Sequence, residues 1–110
     1  MDKYTIEDFG GECFSGWDSL IQPILDYVNE YNDGIVDDEH CIHIEQIKEK
    51  FGLLHIYVSK SDDRLDQMIK DAMHKSATVC EICGDEGELK SVNGWLSVRC
   101  DKHRRKEHED

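Results

Sequence analysis

Basic residues are scarce in this sequence: 13 lysines and arginines stand against 25 aspartates and glutamates, a formal net charge of -12. Phosphate backbones are gripped by cations and repelled by a field of this sign, so direct nucleic-acid binding is not expected, and a partner with a basic surface is. Long apolar runs are missing too. The longest nearly apolar stretch, Leu53 to Val58, is interrupted by His55 and falls far short of the ~18 residues of a membrane span. The opening segment MDKYTIEDFG lacks the charged-then-apolar pattern of a secretory signal, so export is not expected. Proline occurs once, at Pro23, and there is no Gly/Ser-rich linker and no internal repeat. Five cysteines are an odd number and a poor disulfide framework, which points to a reducing compartment. A phosphate-binding glycine loop, a nucleophile elbow and an H-E-x-x-H helix are absent as well, and enzymatic activity is not expected.

What is present fits one modest core in 110 residues. Trp17, Leu20, Ile21, Ile24, Leu25, Val28 and Tyr31 recur at steps of three and four, the spacing of one helix face. Pro23 sits near the first turn of this helix or kinks it. Asp18, Asp26, Glu30 and Asp33 fall on the opposite face with Asn29, giving an acidic stripe. Asp37, Asp38 and Glu39 follow in a loop. Ile42 and Ile44, then Leu54, Ile56 and Val58, alternate with polar residues around a Glu49-Lys50-Phe51-Gly52 turn, the pattern of a β-hairpin with one buried face. Ser61 is placed to cap a second helix with Asp62 and Asp63 in its first turn and Leu65, Met68, Ile69, Ala72 and Met73 as its apolar stripe. The fold class implied is α+β, a helix–hairpin–helix body over residues 1–79. Residues 80–110 form a second part packed on it as one unit. The charge divides unevenly between the parts: 17 acidic and 7 basic side chains in the first, 8 and 6 in the second.

The second part carries the chemistry. Cys80 and Cys83 are separated by two residues, and Cys100 and His103 repeat that spacing. Two thiolates on a C-x-x-C turn span one edge of a tetrahedron, and four donors close the shell of one zinc ion, with His108, His74 or Asp101 as alternatives to His103 for the fourth. Gly84 lets the first turn curl, and Asn93-Gly94 between Glu88–Val92 and Trp95–Arg99 suits a two-residue hairpin turn. From Asp101 onward the residues favour a short helix bearing the last ligand pair. A knuckle, a hairpin and such a helix resemble a treble-clef zinc finger over residues 79–107. With three thiolates and one imidazole the zinc is expected to be structural, and the hairpin holds no histidine for nuclease chemistry.

The remaining candidates read as ordinary surface or core. Cys13 and Cys41 stand apart from the cluster as small buried side chains or idle thiols. His40, His43 and His55 lie in or beside the first hairpin, with His43 and His55 able to face each other across it. Trp95 is expected to pack the second hairpin onto the body. Lys102, Arg104, Arg105 and Lys106 form the one basic run and define an alternative function, a nucleic-acid-binding zinc-finger regulator. Asp26, Glu30, Asp33, Asp37, Asp38 and Glu39 are the expected contacts for a basic partner.

The set of motifs is distinctive. IEQIKEKFGLLHIYV at residues 44–58, with GW at Gly16-Trp17 before it and CEICGDEGEL, NGW and CDKH after it, resembles small zinc-binding proteins encoded by bacteriophages and prophages, over roughly residues 13–103. By size and charge, though by no motif, the chain also resembles anti-CRISPR inhibitors. Those resemblances imply the cytoplasm of a bacterial host as the location and an RNA-guided effector nuclease as the target, its cationic channel blocked against loading of nucleic acid.

Overall fold

The apolar spacing from Trp17 onward winds into the helix α1 (Asp18–Asn32), and the computed structural model describes residues 3–9, 15–92 and 94–103 of the chain. Ile21, Ile24, Leu25 and Val28 point into the core, with Trp17 fully buried just ahead of the helix. Pro23 lies in the second turn, so only the carbonyl one turn before it loses a helical donor. The inward position of the last turn belongs to Asn32 rather than to Tyr31, which is exposed. The Asn32 side chain donates to the Ile42 carbonyl at 2.9 Å and accepts from the Ile42 amide at 2.8 Å. That pair of bonds closes the intervening loop and buries Cys41 and Ile42 beneath it.

The period-two segments form β1 (Ile44–Lys50) and β2 (Leu53–Val58), paired antiparallel from Lys50↔Leu53 to Ile44↔Val58 with a bulge between Ile44 and Gln46. The turn is tighter than the four residues expected. Phe51 and Gly52 alone make it, both at positive φ (53° and 84°), the two-residue geometry whose twist matches that of paired strands. Ile44, Ile47, Leu54 and Ile56 are buried against α1 and the second helix, α2 (Asp63–Ser76). Asp62, not Ser61, caps α2: its Oδ1 accepts from the Leu65 amide at 2.7 Å, and its other oxygen accepts from the Tyr27 hydroxyl of α1 at 2.6 Å. The Tyr27 bond and then the Leu65 amide hold the Asp62 carboxyl below its usual range. At the other end of α2, the buried Ser76 hydroxyl accepts from the Leu54 amide at 3.0 Å and so occupies the outer edge of β2.

Two further strands, β3 (Glu88–Val92) and β4 (Trp95–Arg99), make a second two-stranded antiparallel sheet, with Gly94 at φ 81° in its turn. The parity of β4 sends Val98 into the core shared with α1 and the first hairpin. Trp95, three positions away, falls on the other face and is 59% exposed, so the expectation that it packs the hairpin onto the body does not hold. Leu96 and Leu89 instead meet the first hairpin at Gly52, where any Cβ would lie 2.6 Å from the Leu89 side chain. Among the described residues the architecture is thus α+β, two α-helices and two small hairpin sheets. No helix among the described residues is long and apolar enough to cross a membrane.

Candidate metal centre

A short pairing of Val79 with Glu86 frames the loop that carries the first ligand pair. Inside it the Cys80 amide donates to the Asp85 carbonyl at 2.7 Å and the Gly84 amide to the Cys80 carbonyl at 2.9 Å, with Gly84 at φ 85° to complete the curl. The loop is pinned to its surroundings by backbone. The Glu81 amide donates to the Val98 carbonyl of β4, and the Gly16 amide, from the turn ahead of α1, donates to the Glu81 carbonyl, both at 2.9 Å. Trp17 adds its indole N–H to the Val79 carbonyl at 2.9 Å. The second pair follows β4 directly: Cys100 leaves the strand, and a turn closed by the His103 amide on the Cys100 carbonyl at 3.1 Å brings the imidazole back.

These two turns bring Cys80, Cys83, Cys100 and His103 together, with one donor atom from each within 4.8 Å of all the others. Cys83 Sγ lies 3.6 Å from Cys100 Sγ, and His103 Nδ1 lies 3.3 Å from Cys100 Sγ and 3.8 Å from Cys80 Sγ. Tetrahedral coordination at metal–sulfur lengths of about 2.3 Å and metal–nitrogen lengths of about 2.0 Å sets edges of roughly 3.5–3.8 Å. The four donors therefore stand near the corners of a shell that can hold one metal ion. Cys80 and Cys100 are buried and Cys83 is exposed, so the cluster opens to the surface at one corner.

The thiols of the cluster are driven in opposite directions. Burial pushes the Cys80 thiol up, but the amides of Cys100, Cys83 and Ile82 more than reverse this and bring it down to about 6. Cys83 is favoured as a thiolate by the Asp85 amide, yet desolvation and the sulfurs of Cys100 and Cys80 push it up to about 11. Neighbouring thiolates cannot all ionise on their own, and a bound metal removes that conflict.

One ion pair was not anticipated from the sequence. Glu81, almost fully buried between the two ligand cysteines of the first turn, accepts from Arg99 Nε at 3.1 Å, and Arg99 Nη1 donates to the His103 carbonyl at 3.3 Å. Arg99 thereby ties one ligand turn to the other. The sequence offered no signal for this beyond opposite charges next to ligand positions.

The six expected contact carboxylates, Asp26, Glu30, Asp33, Asp37, Asp38 and Glu39, are all exposed. Asp26 accepts from Gln22 at 2.9 Å, Asp37 pairs with His40 at 3.0 Å and Asp38 with His43 at 3.4 Å. Asn29, read as part of the acidic stripe, is used otherwise: it exchanges two hydrogen bonds with the Tyr4 backbone and docks the amino-terminal segment on α1. His43 and His55 do not face each other, since His55 stands opposite Lys48 and the His43 ring reaches Tyr4 and Asp38. Cys13 and the basic residues Arg104, Arg105 and Lys106 lie outside the described residues; of the expected terminal helix only residues 101–103 are described, and they form a turn, with Lys102 exposed. No protein-family model, curated protein or solved structure matches this chain.

Proposed function

We propose that the chain is a zinc-stabilised, non-enzymatic binding protein that occupies a basic surface of another protein through its acidic side. The observation that carries this reading is the donor set: Cys80, Cys83, Cys100 and His103 supply four ligands of the soft and borderline kind zinc takes, and leave no corner for a reacting water. The order of knuckle, hairpin and ligand turn supports a treble-clef-like finger. Asp26, Glu30 and Asp33 from α1 and the Asp37–Glu39 loop supply the anionic surface, suited to rapid, salt-sensitive association with a cationic groove. In its most specific form the target is an RNA-guided defence nuclease of a bacterial host, whose positive channel the acidic side competes for with guide or target strand.

The test is inhibition of purified RNA-guided nucleases, measured as guide loading and cleavage, beside a variant with all six carboxylates changed to their amides. The reading expects stoichiometric inhibition by the parent and loss of inhibition in the variant. Inhibition that survives the six changes, or none with any such nuclease together with capture of no basic protein from lysate, overturns it.

A further inference from the structure

The outward face of the first hairpin departs from the acidic surface. Its pairs are Gln46↔Tyr57, Lys48↔His55 and Lys50↔Leu53, with Phe51 at the tip. The only acids in β1 and β2 are Glu45, at the bulge, and Glu49, whose carboxylate accepts from the Gly52 amide. Lys48 and Lys50 have no carboxylate within ion-pair range among the described residues, in a chain where acids outnumber bases nearly two to one. They stand over rings instead: Lys48 Nζ is 5.6 Å from the Tyr57 centroid and Lys50 Nζ 5.9 Å from that of Phe51. His55 and Tyr57 lie side by side, 6.3 Å apart and within 17° of parallel. Phe51 is 71% exposed and sits at φ 53°, a conformation that costs a side chain other than glycine or asparagine. Neither burial nor backbone preference accounts for a phenylalanine there.

We propose that this face binds single-stranded nucleic acid, with bases stacked on Phe51 and Tyr57 and two phosphates held by Lys48 and Lys50. Exposed rings beside unpaired cations are the chemistry of single-strand platforms, because every base has a face to stack and a strand has phosphates on either side of it. A duplex hides those faces, and an acidic peptide would use the lysines but offer nothing planar to the rings. The net charge keeps such binding weak and local without abolishing it, since only two of the 25 acids, Glu45 and Glu49, lie in this sheet. The site is independent of the acidic face and of any partner there.

The experiment is fluorescence anisotropy of a labelled oligothymidylate of roughly 12 nucleotides with the full, metal-loaded chain at low salt. The expected result is saturable binding whose log K falls against log salt with a slope of about -1.4, the value for two phosphates on a single strand. Lys48→Gln with Lys50→Gln flattens the slope, whereas Tyr57→Leu and Phe51→Asn each weaken binding about tenfold and leave it unchanged. Phe51→Asn also raises the unfolding midpoint, because asparagine suits that turn position, so lost binding cannot be put down to lost fold. Lys102→Gln changes nothing. Absence of saturable binding, equal competition by a duplex, or insensitivity to Phe51→Asn and Tyr57→Leu overturns the proposal.

Discussion

Gly16 has no unusual backbone angle, yet among the described glycines it is the one whose replacement should cost most. A Cβ on Gly16 would stand 2.1 Å from the Cys80 carbonyl oxygen and 2.5 Å from the Glu81 carbonyl carbon. Ordinary contact begins near 3.4 Å, so the turn ahead of α1 and the ligand-bearing loop must part by more than an ångström. Both colliding groups are backbone and cannot rotate aside. Overpacking of this kind costs about 1–3 kcal/mol, and the bond from the Gly16 amide to the Glu81 carbonyl contributes about 1 more. Gly16→Ala should therefore lose about 2–4 kcal/mol, a large part of the ~5–15 kcal/mol of a domain this size. Gly94 is the control: it has φ 81° but open space where its Cβ would go, so Gly94→Ala should lose only about 1 kcal/mol. Urea unfolding of the metal-loaded proteins measures both. A Gly16→Ala loss equal to or smaller than that of Gly94→Ala would refute the docking of α1 on the ligand loop.

Arg99→Gln takes the guanidinium away from the buried Glu81 carboxylate and should lower stability in the same assay, with less lost when both residues become leucine. Asp62→Asn should lower the unfolding midpoint at neutral pH. Because the folded-state carboxyl titrates below 3.8, its stabilisation is present above that value and disappears as pH falls through the folded-state value, so parent and variant converge in strong acid. His55 is held below its ordinary 6.5 by burial and then by Lys50 and Lys48. The unfolded chain therefore takes up its proton first, and stability should fall as pH drops below 6.5; His55→Gln should remove that component from the stability–pH profile.

Much of this fold is legible in local spacing. Steps of three and four from Trp17 place α1, period two places β1 and β2, and the Asn93-Gly94 dipeptide sits between β3 and β4, because each pattern matches the repeat of one element against one core. The four ligands follow from spacing for a similar reason: a two-residue gap closes a turn by itself, and only the meeting of two such turns needs the tertiary fold. What sequence reading misses depends on parity and on distant partners. Trp95 looks like core by composition, but its position along β4 puts it on the face away from Val98. Ser61 and Asp62 are both good caps, and the Tyr27 hydroxyl, 35 residues away, is a donor that holds Asp62 in its capping position. The Glu81–Arg99 pair joins residues 18 apart in sequence through a hairpin whose register no local rule provides.

The proposal on which the rest depends is that three sulfurs and one imidazole hold a single zinc ion. Native mass spectrometry of the purified, unchelated protein tests it most directly. The account predicts one zinc per chain, retained through folding-compatible buffers and lost together with the folded charge-state distribution when any one of Cys80, Cys83, Cys100 or His103 is replaced by alanine. A metal-free folded chain, an iron–sulfur cluster, or a disulfide within the four would contradict it.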